Sequence, residues 1–523
     1  MVTDRLFRRL RKLIQTEDTL ACLLPTLCLQ LFYRKQLTDC NLRDGATAMT
    51  ALSFPEPLTW AETNFAMADV GDNRRTRRLV ETAAQLAHQP EGSLPEHFSW
   101  NPLRAVYRLC NRPEVTHSAV TATHFTLTRD QMEQANTTIL ILHDTTELNF
   151  TSHYALEGTG PVGNGQGRGF LQHNSLAIEA DTRKILGLAF QQVVTRTPIP
   201  KSETHTARQR RARESDLWER GIRGVGTAPD QACWIDVADR GSDSFEVMKA
   251  SLDQGHQFLF RACKDRKIAT GPTADGPCRL LKPWVRSLPS QAEGEVIIPG
   301  QGGRPERTAR VQMAAAQAWF LVPKLVHGVH PDWVPTRVWV ERIWESHPPA
   351  DVEEPLEWIL LSSLPASGTK ELAQHRDWYA RRPLIEDFHQ VEKTGCGEEK
   401  LRFQTAEAML PMLGVLAIVA VRVLQLRWWG RDGAEAPAVS AATAEERQVL
   451  KSLGESIKTA RDFVRAVARL GGFLDRKGDG EPGWQTMWRG YRRLQDIVLG
   501  VQLKAGRVHS DFREHHNMLM SPL

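Results

Sequence analysis

Apolar residues recur along this chain first at helical spacing and then in short continuous runs, and the change of period divides it into segments. Between Trp60 and Pro90 (WAETNFAMADVGDNRRTRRLVETAAQLAHQP) the spacing is helical on both sides of Gly71-Asp72. This predicts a helix, a turn and a second helix whose buried stripe is Leu79, Val80, Ala83, Ala84, Leu86 and Ala87. A further helix is predicted around Leu103 to Leu109. Thr138 to Asp144 (TILILHD) and Ala232 to Asp239 (ACWIDVAD) are continuous apolar runs that read as buried strands, each ending in an acid. Leu171 to Ala180 and Lys184 to Gln191 read as strands joined by the turn Asp181-Thr182-Arg183, and Gln257 to Arg261 as a fifth strand. Helices are expected over 205–222 and Phe245 to Asp253.

The order β-β-β-α-β-α-β, three antiparallel strands and then strands separated by helices, predicts an α/β fold with a mixed sheet of the ribonuclease-H kind. Residues 265–365 are a second strand-rich segment, closing on Trp358-Ile-Leu-Leu-Ser-Ser, after which a helix is expected near 371–395. From about 396 to 500 the pattern is mainly helical. Its longest apolar stretch, Met409 to Leu424, is interrupted by Arg422 and too short to span a bilayer, so a buried helix and no membrane partner are expected. Gly430 to Thr443 (GRDGAEAPAVSAAT) reads as a small-residue linker. The first residues join a basic run (RLFRRLRKLI) to an apolar one through Glu17 and Asp18, which is not the order of a signal peptide. With Met49 opening a more ordinary segment, residues 1–48 read as an over-extended start or a dispensable leader. The expected division is a leader of unknown role (1–58), an N-terminal helical domain (59–130), the first part of the α/β core (131–265), a β-rich insertion (266–365), the completed core (366–430) and a C-terminal helical region (431–523).

Composition changes this picture little. The 523 residues are 41% hydrophobic and 24% charged, with a net charge of +4 from 66 Lys and Arg against 62 Asp and Glu. No overall polycation marks a nucleic-acid partner, which would have to be read from local patches. Eight Cys without a C-x-x-C pair exclude a disulfide framework and a zinc site, and favour reduced thiols in a cytoplasm.

Two acids at the ends of neighbouring buried strands are the sharpest chemical signal. Asp144 and Asp239 would meet at the carboxyl edge of the sheet, where ligands of α/β proteins bind. Such carboxylates repel one another unless a cation separates them, and hard oxygen ligands suit Mg2+ or Mn2+. Along Tyr379 to Lys393, a continuous helix would put Tyr379, Arg382, Glu386 and Lys393 on one face, a phosphate-gripping edge around a metal ligand. Pro383 lies inside that run and would kink it. Arg74, Arg75, Arg77 and Arg78 crowd the first turn of the second N-terminal helix, where the helix dipole disfavours cations. Phosphate contact would explain them; a solvated basic face would show the same letters.

These residues resemble the bacterial cut-and-paste transposases of the insertion-sequence-four family, which contains the transposon-five transposase. Its signature Y-x2-R-x3-E-x6-K is matched by Tyr379, Arg382, Glu386 and Lys393, with KTG following at Lys393-Thr394-Gly395. HDTTELNF resembles the motif of the first aspartate, DVADRGSD that of the second, and GDNRRTRRLV the N-terminal DNA-binding helix. The resemblance runs from about Trp60 to about Leu499. It implies a ribonuclease-H-like core with a β-rich insertion, flanked by an N-terminal DNA-binding domain and a C-terminal helical dimerisation region. It further implies that Asp144, Asp239 and Glu386 hold two Mg2+ or Mn2+ ions for nicking, hairpin formation, hairpin opening and strand transfer, by a homodimer on double-stranded DNA. Tyr379, Arg382 and Lys393 would grip phosphates, Trp358 would stack the displaced base, and Arg261 would contact DNA. Gln390 stands where relatives often carry a further Lys. The expected location is the bacterial cytoplasm, on the nucleoid. A silent DNA-binding relative acting as a repressor, or a stand-alone ribonuclease-H-like nuclease, are the alternatives. The three intact acids oppose the first, and the N-terminal basic helix and long C-terminal helical region oppose the second.

Overall fold

Helix signals at the N-terminal end act as the sequence indicates. In the computed structural model, which describes residues 55–196, 202, 214–271, 273–298, 306–350, 352–476 and 479–504, α1 (Pro57–Phe65) is the first helix of the described residues and α2 (Asn73–His88) follows. Asp72 caps α2, accepting from the backbone N–H groups of Arg74 at 2.8 Å and Arg75 at 3.0 Å. Leu79, Val80, Ala83, Leu86 and Ala87 are buried beneath it, with Ala84 half-buried. Next come α3 (Trp100–Cys110) and α4 (His117–Gln134). A buried histidine ties this region to the sheet: His124 Nδ1 donates to Asn64 Oδ1 at 2.7 Å, and its Nε2 accepts from the Leu188 N–H at 3.0 Å. Burial pushes its pKa down to about 3, which keeps Nε2 free to accept. Of the leader expected over 1–58, residues 1–54 lie outside the described residues.

The strands of the described residues form one mixed sheet. β1 (Ile139–Asn149) lies next to β3 (Gly167–Glu179), with β2 (Gly160–Val162) at the edge and β4 (Ile185–Val194) also on β3, all antiparallel. On its other side β1 runs parallel to β5 (Trp234–Ala238), and β5 runs parallel to β6 (Gln257–Arg261). Helix α5 (Asp216–Val225) precedes β5, and α6 (Phe245–Asp253) links β5 to β6. The helix expected over 205–222 is thus described only from Asp216; residues 203–213 lie outside the described residues.

The strand-rich segment after β6 extends the same sheet. It supplies β7 (Lys267–Thr270), β8 (Cys278–Leu280), β9 (Ala292–Ile298), β10 (Arg307–Phe320) and β11 (Thr336–Glu345), and closes with β12 (Glu357–Ser362). β12 pairs antiparallel with both β11 and β6, Leu360 opposite Arg261, and so stitches the insertion to the core. Helices α7 (Thr369–Tyr379) and α8 (Pro383–Gln390) then return over the sheet face that holds Leu140, Leu142, Ile235, Val237 and Leu259.

The C-terminal region is helical: α9 (Ala406–Gly430), α10 (Ala444–Ser452), α11 (Ala460–Leu470) and α12 (Trp484–Lys504). Among the described residues, α9 is the one helix long and apolar enough to cross a membrane, and 89% of its apolar window is buried inside the fold. The segment expected to be a linker is packed instead. Ala434, Ala438, Ala441 and Ala442 are buried, and the Ala438 N–H donates to Lys458 O at 2.9 Å.

Arg422 of α9 is fully buried, which no apolar period announces. Its Nη2 donates to Pro55 O at 2.6 Å, and its guanidinium lies 5.4 Å from the Trp60 ring centroid and 5.8 Å from that of Tyr491. Tyr491 in turn donates to Glu446 at 3.1 Å. One cation thereby joins α1, α9, α10 and α12. Removing it strands polar partners in the core, so Arg422→Ala should lower stability by about 3 kcal/mol. Chemical denaturation should show this as a lower midpoint with an unchanged slope.

Candidate active site

Strand register assembles the site. Leu142 of β1 lies beside Val237 of β5, and the next residues on that face of the two parallel strands are Asp144 and Asp239. Across β5, Ala238 pairs with Phe260 of β6, so the neighbour of Asp239 on that side is Arg261. Arg261 pairs with Leu360 of β12, two residues from Trp358. Asp144, Asp239, Arg261 and Trp358 therefore follow from side-chain alternation along four strands. One expectation is corrected: β1 does not end at Asp144 but continues to Asn149, because Thr145 to Asn149 keep pairing with β3. Asp239 does follow the last residue of its strand, where it caps a short 3-10 turn by accepting from the Gly241 N–H at 2.8 Å.

A second correction concerns the run from Tyr379 to Lys393. It is not one helix with one face. Tyr379 ends α7, Arg382 lies in the connecting turn, and Pro383 begins α8, where its missing N–H is no loss. Glu386 sits one turn into α8, and Lys393 lies beyond it in a π-helical turn, Val391–Gly395. The kink brings Arg382 to the acids. Its guanidinium is 3.5 Å from Asp144 Oδ2 and also pairs with Glu386. Glu386 is 55% exposed and Asp144 17%, so the pair opens onto solvent at the glutamate.

Electrostatics bind these groups into one cluster. Burial pushes the Asp144 carboxyl up to about 6; Arg382 opposes the rise, while Asp239 and Glu386 add to it. Burial alone would lower the Arg382 guanidinium, but Tyr379, Glu386, Asp144 and Asp239 together hold it above its ordinary value. Burial also pushes the Tyr379 phenol up to about 12, against the pull of Arg382 and Arg261. The Tyr379 hydroxyl faces Arg261 without a well-aligned hydrogen bond, and its ring meets Trp358 edge-on, centroids 5.0 Å apart. Trp358 is half-buried, with its ring packed on the main core. Arg261 donates from Nη2 to Glu357 O at 3.0 Å. Lys393 is half-buried. His389 Nδ1 is 4.0 Å from Asp144 Oδ2, and burial, Lys393 and Arg382 push its pKa down to about 3.

Three carboxylates at one strand edge are the oxygen donors that a hard divalent cation takes. Among the described residues no three His, Cys, Asp or Glu side chains are drawn together as a ready-made metal group. The guanidinium of Arg382 stands between Asp144 and Glu386 and supplies the positive charge they require.

Some of the surroundings were not legible as a site. Beneath Asp144, His143 Nε2 donates to Asp236 at 3.0 Å, and His256 Nδ1 donates to the same buried carboxylate at 3.0 Å. Burial would raise Asp236, but the His256 and His143 imidazoles hold it well below the usual carboxylate range. Beside Arg261 opens a cavity of about 200 Å³ lined by Arg240, Lys282 and Arg286 as well as Glu357. The sequence scatters these cations over three segments, so no local run announces them.

Residues 57–115 match the family model for transposase DNA-binding, and residues 421–511 match that for the transposase Tn5 dimerisation domain. Together the two matches support a Tn5-like transposase. The first supports DNA binding and the second homodimer formation. The first matched segment contains the four arginines of α2, and they divide in two. Arg75 pairs with Glu114 at 2.9 Å and Arg78 with Glu81 at 2.9 Å. Arg74 and Arg77 are exposed and make no ion pair among the described residues. The second segment runs from the end of α9 through α12, where Trp488 and Leu494 are buried core residues, as their spacing suggests.

Because the Tyr379 hydroxyl makes only a poorly aligned contact with Arg261, its removal costs the fold little. Tyr379→Phe should leave stability within about 1 kcal/mol of the parent. Thermal unfolding of the two proteins in parallel should give coincident transitions; a large drop would mean that the hydroxyl is bonded after all.

Proposed function

We propose that this transposase catalyses metal-dependent cut-and-paste transposition: nicking at specific inverted-repeat ends, hairpin formation, hairpin opening and strand transfer into target DNA. The observation that carries the reading is the convergence of Asp144, Asp239 and Glu386, from two strands and a returning helix, around Arg382. The strand order β4-β3-β1-β5-β6, with β1, β5 and β6 parallel, supports a ribonuclease-H-like core. The match of Tyr379, Arg382, Glu386 and Lys393 to the insertion-sequence-four signature supports the same chemistry.

Asp144, Asp239 and Glu386 fit a pair of Mg2+ or Mn2+ ions, which when bound would activate the attacking oxygen and stabilise the leaving oxygen of a phosphoryl transfer. The remaining work belongs to the chain. Arg382 neutralises the acids at rest and turns its charge toward a phosphate when they take another partner. Arg261 and Tyr379 line the approach beside Asp239, and Trp358, edge-on to Tyr379, offers an aromatic surface to a base drawn out of the stack. Lys393 adds a phosphate contact from the π-helical turn. Arg74 and Arg77, the free members of the α2 set, contact the DNA backbone of the ends, with Arg75 and Arg78 held closer to the protein. The working form is a homodimer on double-stranded DNA, in the bacterial cytoplasm on the nucleoid.

The test is incubation with end-labelled DNA carrying the candidate repeats, with and without Mg2+, resolving nicked, hairpin and joined products. Glu386→Ala should abolish every product while retaining end binding in a mobility shift; hairpins made by that variant would refute the carboxylate assignment. With Trp358→Ala, nicking should persist and hairpin yield should fall about tenfold or more, the loss of roughly 1–3 kcal/mol of base stacking. An unchanged hairpin yield would return Trp358 to the core.

A further inference from the structure

On the face of the sheet that carries Asp144 runs a row of buried amides that the proposed chemistry does not use. Register sets Asp144 of β1 opposite Asn174 of β3, and Asn174 opposite Gln191 of β4; Gln172 lies two residues along β3. The three amides converge on Glu392, within the π-helical turn. Gln172 Nε2 donates to Glu392 Oε1 at 2.9 Å, Gln191 Nε2 to the same oxygen at 3.1 Å, and Asn174 Nδ2 to Oε2 at 3.1 Å. Behind them His117 Nε2 donates to Gln191 Oε1 at 2.8 Å.

Glu392 has a second carboxyl group beside it. Glu392 and Glu398 are both fully buried, and neither oxygen of Glu398 accepts a well-aligned hydrogen bond. Gln172 Oε1 is also without one. The donor count is therefore lopsided. Three N–H groups converge on Glu392 and suit an anion, whereas Glu398 is reached only by the amide of Gln172, which already bonds Glu392. A bare carboxylate in such a place is costly; a protonated one gains a donor of its own, with acceptors within the same buried space. Burial first, then Glu399, pushes Glu398 up to about 8 against Gln172 and Lys393; burial and Glu398 likewise push Glu392 well above its usual range. The other titratable groups facing the pair do not neutralise it. Cys396 is held protonated by burial and by the two acids, and burial keeps His117 neutral. Glu399 Oε1 accepts from the Asn149 N–H at 2.7 Å, and β3 and β4 present only amides.

The turn itself is held from both sides. The Cys396 N–H donates to Val391 O at 2.7 Å, the bond that makes the turn π-helical, and a Cβ on Gly395 would lie 3.0 Å from the Trp484 ring of α12. Glu392 points into the sheet from this turn, and its neighbour Lys393 is half-exposed.

We propose that Glu392 and Glu398 share one proton, and that the singly charged pair fixes the π-helical turn so that Lys393 is presented to a DNA phosphate. Glu392 is then a positioning residue, acting through Lys393; this rests on the reading of Lys393 as a phosphate contact. Loss of the shared proton puts two negative charges in one closed space and loosens the turn.

Three measurements on the full chain test this. The infrared difference spectrum between wild type and Glu398→Gln at neutral pH should show the loss of one protonated carboxyl band; its absence overturns the proposal. A carboxyl raised in the fold stabilises below its unfolded pKa and loses that contribution as pH rises through its folded value. The wild type should therefore lose Tm relative to Glu398→Gln between about pH 5 and pH 8, with no further divergence above. Parallel curves overturn the proposal. In the third, nicking of end DNA by the wild type should fall about tenfold between pH 7 and about one unit above the shared pKa, while Glu398→Gln, which mimics the protonated acid, stays within about twofold. Glu392→Gln should raise KM for end DNA as Lys393→Ala does, with little change in kcat. Identical alkaline limbs in wild type and Glu398→Gln overturn the positioning role. If the wild type cleaves no end DNA at all, the transposition reading falls, and the infrared and thermal measurements still decide the proton.

Discussion

Carboxylates gathered where water is scarce must be given a positive partner, and this protein gathers them twice. At the open edge of the sheet, Asp144, Asp239 and Glu386 surround the guanidinium of Arg382, which is itself buried enough to need them. The mutual dependence explains the local backbone. A straight helix through Arg382 and Glu386 would carry the guanidinium away from Asp144; the break before Pro383 turns it back. Farther in, Glu392 and Glu398 have no guanidinium, and the sheet answers with amides. The same requirement is met with a mobile charge at the surface and with fixed dipoles inside, which separates a place that must exchange partners from one that must not.

The segments beyond the acid-bearing edge of the sheet are not appendages. Arg422 joins the N-terminal helices to the C-terminal ones through a buried cation, and Trp484 of α12 lies against Gly395 at the turn that bears Lys393. The two matched segments, one for DNA binding and one for dimerisation, therefore share a core with the sheet that lies between them in sequence.

Much of this was legible in the letters. Continuous apolar runs identified β1 and β5, and the acids that follow Leu142 and Val237 by two residues needed only parallel register to meet. The apolar stripe of α2 and the burial of α9 were equally readable, because periodicity reports the side that faces the core. Three things were not. The extent of β1 past Asp144 depends on β3 across the sheet, which no local pattern encodes. The break at Ala380 to Arg382 was suggested by Pro383, but its purpose depends on Asp144, far away in sequence. The amide row had a faint mark, Gln172 and Asn174 alternating along β3 on the face of Asp144. Only the packing of Glu392 onto them gives it a meaning.

The pairing of β12 with β6 has a consequence in time. Asp144 and Asp239 belong to strands that leave the ribosome early, whereas Arg382 and Glu386 follow only after the whole insertion has been made. At roughly 5–20 residues per second, the interval between the second acid and the third is on the order of ten seconds or more. During it the nascent chain holds two acids without their cation or their third member. The insertion thus acts as a delay written into the polypeptide: the acids carried by β1 and β5 cannot meet the one carried by α8 before the whole insertion has been made.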